Sequence, residues 1–222
     1  WIWKSMDYLL KGDLAYYNPV DQNMRFDAHD NAFFFDEINK AVYVGFKNIS
    51  RIIKIEYPSG KVEQEYGDIF KPGVKEMGRG LFCGQHSINR TEDGYLCVYN
   101  NNTCNPGKMP QVLLLQEPVS RADTITKTWE FICPVPDRHV GGYYQGGNAI
   151  PLPGRNVFGN LGSQYSKLFI ASRDKKILWS ALPERFVETD EKWVPNYQYR
   201  SNIISRKELE RFIWAAEKHG EK

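Results

Sequence analysis

Short apolar runs recur along this chain, and turns rich in Asp, Gly and Pro separate them. Between residues 27 and 67 the pattern predicts four strands, at residues 29–36, Ala41–Phe46, residues 51–57 and residues 62–66. The third of these alternates isoleucines with Lys54 and Glu56, which is typical of a strand that buries one face.

The same four-strand pattern returns twice. The second repeat predicts strands at His86–Arg90, residues 95–99, Gln111–Gln116 and Thr126–Ile132. The third begins at Gly146 and predicts strands at residues 156–159, 167–171 and 177–182. Four short antiparallel strands per repeat are typical of a β-propeller blade. A β-sandwich of about a dozen strands is the alternative. The propeller is favoured because the repeats match in order and in their closing strands.

The chain is therefore predicted to be all-β, with about three propeller blades in residues 1–204 and a helix in residues 205–222. Ser205 and Glu208 have the spacing of a capping box at the start of that helix. Leu209, Phe212 and Ile213 follow at helical intervals, so the helix is expected to pack on the propeller.

Two further segments are predicted to be strands. Trp1-Ile2-Trp3 resembles the last strand of an earlier blade, and residues 197–204 predict one more strand before the helix. Three blades cannot close a ring, and an open ring exposes strand edges. The missing blades are therefore expected upstream in the same gene product or in a second chain, and a homo-oligomer stays open.

Composition narrows the function. The net charge of +2 comes from 29 basic and 27 acidic residues, which argues against a general nucleic-acid binder. The apolar runs are too short to cross a bilayer. Four cysteines, Cys83, Cys97, Cys104 and Cys133, lack the spacing of a metal site. They allow one or two disulfides in an oxidising compartment, and free buried thiols are the equal alternative.

Two histidines carry the candidate chemistry. His29 and His86 open successive repeats at the same place, so both side chains are expected to point towards one axis. Each also has a purely structural interpretation, because a histidine at a strand start can simply bond a backbone carbonyl. Lys47, at the end of a predicted strand, can likewise be an ordinary solvated lysine.

The chain resembles the bacterial arylsulfotransferases that do not use phosphoadenosine phosphosulfate, roughly from residue 3 to residue 204. Four motifs in order carry the resemblance: His29-Asp30-Asn31; a strand pair at residues 42–47 and 52–55, followed by Gly60; Gln85-His86 with Asp93-Gly94 and Asn100-Asn101; and Gly147-Asn148-Ala149 with Leu152-Pro153 and Asn156.

The resemblance implies a six-bladed propeller in the periplasm or secreted, with no cofactor. It implies that His86 takes up the sulfuryl group and that His29 and Asn31 are further active-site residues. Lys47 stands where the family has an arginine, and Asn160 falls near another polar position of the pocket. A further family histidine comes from an earlier blade, which these residues do not supply.

The implied reaction moves a sulfuryl group from a phenolic sulfate ester to a phenol. A neutral imidazole nitrogen attacks sulfur, phenolate leaves, and the acceptor phenol then takes the group from the histidine. Because the transition state is expected to be loose, positioning and charge stabilisation by His29, Asn31 and Lys47 matter most. Lysine keeps the charge of the expected arginine but lacks its planar bidentate fork.

Two other functions stay open. A non-catalytic propeller of the same lineage would bind a ligand or a partner, and the substitution at Lys47 motivates that alternative. A lactonase-like hydrolase would require a metal with carboxylate ligands, and the sequence offers no convincing set.

Overall fold

The computed structural model describes residues 1–9, 28–67, 80–103, 105, 107–120, 124–134, 145–162 and 167–219. Three four-stranded antiparallel sheets follow one another, and each has its strands in sequence order from one edge to the other. This up-and-down order is that of β-propeller blades. The prediction of an all-β propeller with a C-terminal helix is confirmed.

Blade 1 consists of Asp30–Asp36 (β1), Ala41–Phe46 (β2), Arg51–Glu56 (β3) and Val62–Gly67 (β4). Blade 2 consists of His86–Arg90 (β5), Leu96–Asn100 (β6), Gln111–Gln116 (β7) and Thr126–Ile132 (β8). Blade 3 consists of Asn148–Leu152 (β9), Asn156–Asn160 (β10), Leu168–Ala171 (β11) and Ile177–Ala181 (β12). The strands predicted from the sequence agree with these bounds to within one residue.

Outside the blades the sequence predictions were partly wrong. Trp1-Ile2-Trp3 forms no strand; it precedes a short helix, Ser5–Tyr8 (α1), and Trp3 and Tyr8 pack against the apolar core of blade 1. Residues 197–204 also form no strand, because their hydrogen bonds go to isolated groups and not to a strand ladder. A hairpin of Glu184–Val187 (β13) and Lys192–Pro195 (β14) was not predicted.

The C-terminal helix, Arg206–His219 (α2), begins with the predicted capping box. The backbone N–H of Ser205 donates to Glu208 Oε2 at 2.7 Å, and the N–H of Glu208 donates to Ser205 Oγ at 3.2 Å. Leu209, Phe212 and Ile213 are exposed. Packing of this helix on the propeller stays a prediction.

Two apolar cores lie between blades, because successive sheets pack face to face, and a further core covers the other face of blade 1. Side chains alternate between the two faces of a strand, so neighbouring residues of blade 2 enter different cores. Leu113 and Leu115 pack in a core shared with blade 1, whereas Val112 and Leu114 pack in a core shared with blade 3. Both faces of blade 2 are therefore covered, which explains why β6 and β7 are almost continuously apolar.

A buried polar cluster joins blade 1 to blade 2, and Glu117 is its centre. Its carboxylate accepts hydrogen bonds from Tyr66 at 2.6 Å, from Tyr43 at 3.0 Å and from Arg90 Nη1 at 2.7 Å, and Lys54 Nζ lies 3.4 Å away. Burial alone would raise the pKa of Glu117, but these donors and cations together hold that pKa below its usual value.

The cysteines fall into both states that the sequence allows. Cys83 is disulfide-bonded, whereas Cys97 and Cys133 are buried free thiols. Burial raises the pKa of the Cys97 thiol to about 12, so that thiol is unreactive at neutral pH. Cys104 lies outside the described residues. No helix in the described ranges has the length and apolar character of a membrane span.

Replacing Leu114 by alanine should destabilise the fold by about 2–5 kcal/mol, because it leaves a cavity between blades 2 and 3. The measurement is urea unfolding followed by tryptophan fluorescence. Leu182→Ala is the matched control: Leu182 is 55% exposed, and its loss should change stability by less than about 0.5 kcal/mol. Equal losses in the two variants would contradict the packing described here.

Acidification should weaken the contact between blades 1 and 2 through Glu117. Its pKa is lowered in the folded chain, so its stabilisation is present above its unfolded pKa of about 4.5 and is lost as pH falls through the lower folded value. Urea unfolding between pH 6 and pH 3 should therefore show a smaller acid-dependent loss in Glu117→Gln than in the parent. Glu188→Gln, at an exposed position in the turn between β13 and β14, is the control and should follow the parent closely.

Candidate functional site

The first strands of the three blades lie side by side, so their starts come together. β1 contacts β5, and β5 contacts β9. In both β1 and β5 the register shifts at the second residue of the strand, at Asn31 and at Ser87. A β-bulge of this kind redirects a side chain away from the regular alternation. Equivalent residues of blades 1 and 2 are therefore redirected at the same end.

His86, at the start of β5, is almost completely buried, and both of its ring nitrogens are hydrogen-bonded. Nδ1 lies 2.7 Å from Asn101 Oδ1, and Nε2 accepts from the backbone N–H of Gly146 at 3.2 Å. The Asn101 amide nitrogen donates to the Gly146 carbonyl at 3.0 Å, which orients its oxygen towards His86. The proton of the neutral ring is therefore on Nδ1, and the lone pair is on Nε2.

The environment keeps this imidazole neutral. Burial is the main cause that lowers the pKa of His86, to about 4, and the positive charges of Lys47 and Arg200 lower it further. The hydrogen bond to Asn101 acts in the opposite direction but does not outweigh them. A neutral imidazole is the form that can act as a nucleophile.

The glutamine that precedes the histidine, Gln85, anchors the start of β5 to blade 1. Its side-chain amide donates to the carbonyls of Phe46 at 3.1 Å and Arg51 at 3.0 Å, which fixes the start of β5 against the facing ends of β2 and β3. In return, the Asn31 side chain donates to the Gln85 carbonyl at 2.9 Å. Asn31 is thus held against the buried residue that precedes His86.

The other predicted residues lie around this point at different distances. The backbone N–H of Lys47 donates to the carbonyl of His29 at 2.9 Å, so both residues lie at the end of blade 1 that meets Gln85. Asn160, at the end of β10, is paired with Asn148 of β9 and donates to its side-chain oxygen at 3.5 Å. Asn160 Oδ1 is buried with no hydrogen-bond partner among the described residues. The roles assigned to these residues stay predictions.

The sequence analysis missed a segment that reaches the site from the C-terminal side. The Tyr199 carbonyl accepts from the N–H of Gly147 at 2.8 Å, and the Asn148 side chain forms two hydrogen bonds with the backbone of Ser201, at 2.8 and 3.0 Å. The ring of Tyr199 meets the ring of His86 edge-on, with centroids 6.0 Å apart. No local pattern signals this contact, because it joins residues far apart in the sequence.

Gly147 permits the close approach that this arrangement needs. Its φ is 88°, a value that favours glycine, and a Cβ there would lie 2.2 Å from the ring of Tyr99. Gly146, whose N–H meets His86, also has a positive φ, of 68°. Two consecutive glycines therefore shape the loop that covers the imidazole.

Two cavities flank the site, and Arg200 lines both. One, of about 330 Å³, lies between the first strands and is lined by Phe33, Ser87, Asn148 and Ser201 among others. The other, of about 820 Å³, lies against blade 1 beside Asn31. The described part of the chain has no group of three His, Cys, Asp or Glu side chains placed to hold a metal ion.

Comparisons with known proteins give no family. No family model and no curated protein matches the chain. Among solved structures, it is similar to hydrazine synthase of Kuenenia stuttgartiensis, at 10% identity and a TM-score of 0.46, over 73% of this chain and 38% of the other. It is similar to the RRP9 WD40 repeats, at 12% identity and a TM-score of 0.42, over 78% and 52%. It is also similar to streptogramin B lyase, at 14% identity and a TM-score of 0.41, over 69% and 40%.

The neutral state of His86 should be visible by nuclear magnetic resonance. With the folded chain labelled at histidine, its ring should stay in the Nδ1-protonated form as pH falls and should titrate only near pH 4. His86→Gln assigns the signals. Because the unfolded chain takes up this proton near pH 6.5, the unfolding free energy should fall between pH 6.5 and 4, by up to about 1.4 kcal/mol per pH unit. Titration of His86 near pH 6.5 would contradict the environment described here.

Proposed function

We propose that the chain is part of an aryl-sulfate sulfotransferase, which moves a sulfuryl group from a phenolic sulfate ester to a phenol through a sulfohistidine at His86. The observation that supports this proposal is the state of that ring. A buried imidazole with its proton held on Nδ1 by Asn101, and its lone pair on Nε2, is prepared for nucleophilic attack at neutral pH.

In the first step, Nε2 of His86 attacks sulfur, the N–S bond forms, and the S–O bond to the aryl group breaks. The phenolate leaves with the electron pair of that bond. The ring acquires positive charge, and the Nδ1–H to Asn101 hydrogen bond stabilises it. In the second step, the oxygen of the acceptor phenol attacks sulfur, and the electron pair of the N–S bond returns to Nε2.

The neighbouring residues have supporting roles in this proposal. His29 transfers a proton to the departing phenolate and removes one from the acceptor phenol. Lys47, whose charge already acts on His86, stabilises the sulfuryl oxygens together with Asn31. Asn160 orients the side chain of Asn148, to which it donates a hydrogen bond. Gly146 and Tyr199 cover the imidazole in this structure, so sulfur reaches Nε2 only after they separate from it.

The test is to incubate the folded protein, with any chain that copurifies, with 4-nitrophenyl sulfate and a phenol. We expect release of 4-nitrophenolate and a gain of one sulfuryl group in the intact mass when the acceptor is omitted. His86→Ala should reduce the transfer rate by more than about 10³-fold, because the nucleophile is lost. His219→Ala, in α2, is the matched histidine control and should keep parental activity. Absence of transfer by a folded parent, or full activity in His86→Ala, would refute the proposal.

A second candidate is a propeller that binds phenolic or anionic ligands without turnover. The observation that favours it is that both ring nitrogens of His86 are already hydrogen-bonded and that the side chain is about 1% exposed. Binding of 4-nitrophenyl sulfate with no release of 4-nitrophenolate would establish this function and exclude the first.

The proposal also includes further blades from the same gene product or from a second chain. Ile177, Leu178 and Trp179 of β12 support it, because they leave an apolar row exposed on the outer strand of blade 3. The further catalytic histidine that the family resemblance implies would belong to such a blade.

A further inference from the structure

Arg200 is a cation near the site that has no role in the reaction proposed above. It lies in the segment of residues 197–202, which is held against the start of β9 by three hydrogen bonds. Its guanidinium Nη2 donates to the backbone carbonyl of Asn31, on the opposite side of the site. A residue from the C-terminal part of the chain thus reaches the first strand of blade 1.

The guanidinium is not used up by this contact. Arg200 is exposed, and among the described residues its side chain has no salt bridge and no hydrogen bond besides the one to Asn31. Arg200 also lines both of the cavities that flank the site. A planar guanidinium with open donors at a cavity is suited to bind an oxyanion through two parallel hydrogen bonds.

Its surroundings connect it to the imidazole. The guanidinium lies over the ring of Tyr199, at 5.6 Å from the ring centroid, and that ring meets His86 edge-on. Lys47 follows β2 of blade 1, whereas Arg200 lies in the segment of residues 197–202, and the positive charge of each acts on His86. The positive charges of these two residues near a neutral histidine therefore favour an anionic substrate.

We propose that Arg200 is a residue that binds the sulfuryl oxygens of an aryl sulfate ester, and that the segment of residues 197–202 holds it at the site. The identity of the substrate rests on the proposed function. Arg200 supplies the bidentate fork that Lys47 lacks, from a different part of the chain. Lys47 then serves as a second point charge.

The experiment measures binding apart from turnover. The intact protein is titrated with 4-nitrophenyl sulfate by calorimetry in the His86→Ala background, in which covalent transfer cannot occur. Arg200→Gln should raise the dissociation constant by about 10- to 100-fold, because a charge-assisted pair of hydrogen bonds is lost. Arg200→Lys should recover part of that loss, because it restores charge without the fork. Arg206→Gln is the matched control: Arg206 is exposed in α2 and pairs with Glu210, so its replacement should leave binding unchanged.

The outcomes separate this inference from the proposed function. Unchanged binding in Arg200→Gln overturns the inference even if the parent transfers sulfuryl groups. Weakened binding in Arg200→Gln, with no turnover by the parent, supports the anion site and refutes the sulfotransferase. Failure of the His86→Ala protein and of the parent to bind the ester overturns the inference. If urea unfolding shows that Arg200→Gln does not fold, Arg200→Lys decides: a several-fold loss supports the fork, and parental affinity overturns it.

Discussion

Face-to-face packing of successive sheets is the interaction on which the rest of this structure depends. A single four-stranded sheet has two faces to cover, and the side chains of β6 and β7 alternate between blade 1 and blade 3. Each fully buried aliphatic side chain contributes about 1.5–3 kcal/mol, so this double-sided packing is the main source of stability in blade 2. It also sets the spacing between the first strands, and those strands position the candidate site.

Polar links at the inner ends of the blades convert that spacing into a defined geometry. Ser87 exchanges hydrogen bonds with the backbone of Ala149, at 3.1 and 3.2 Å, and Gln85 joins the start of β5 to blade 1. These groups are buried, so each bond satisfies a donor or acceptor that would otherwise be costly. His86 lies between the two links. Its environment is therefore a product of how three blades meet and not of its own strand.

The strands could be predicted from the sequence because alternation and turn residues are local signals. Ala41–Phe46 has the predicted bounds, and the capping box at Ser205 and Glu208 has the predicted hydrogen bonds. The failures share a different cause. Residues 197–204 are rich in aromatic and apolar side chains, as a strand would be, but they contact β9 through single groups. Local composition cannot distinguish these two arrangements.

The site could be predicted only in part for the same physical reason. Repetition indicated that His29 and His86 belong to one end of the fold. The two positions are not equivalent, because the register shifts at Asn31 and Ser87 align His86 with Asp30, and His29 precedes β1 by one residue. Repetition could not identify Asn101 and Arg200, because neither has a counterpart of the same residue type in another repeat. Asn31 and Arg200 are separated by 169 residues, and only the tertiary fold brings them into contact.

The packing at Gly147 affects the hydrogen bond that His86 accepts. The ring of Tyr99 occupies the space that a methyl group at Gly147 would need, and the adjacent N–H of Gly146 is bonded to His86. Even alanine at Gly147 would have to displace either the ring or the loop, and a displaced loop would carry that N–H away from Nε2. The hydrogen bonding of the histidine, and with it the pKa of the ring, is therefore coupled to the absence of a side chain at Gly147. A substitution that changes the packing at this position would therefore also change the protonation of His86.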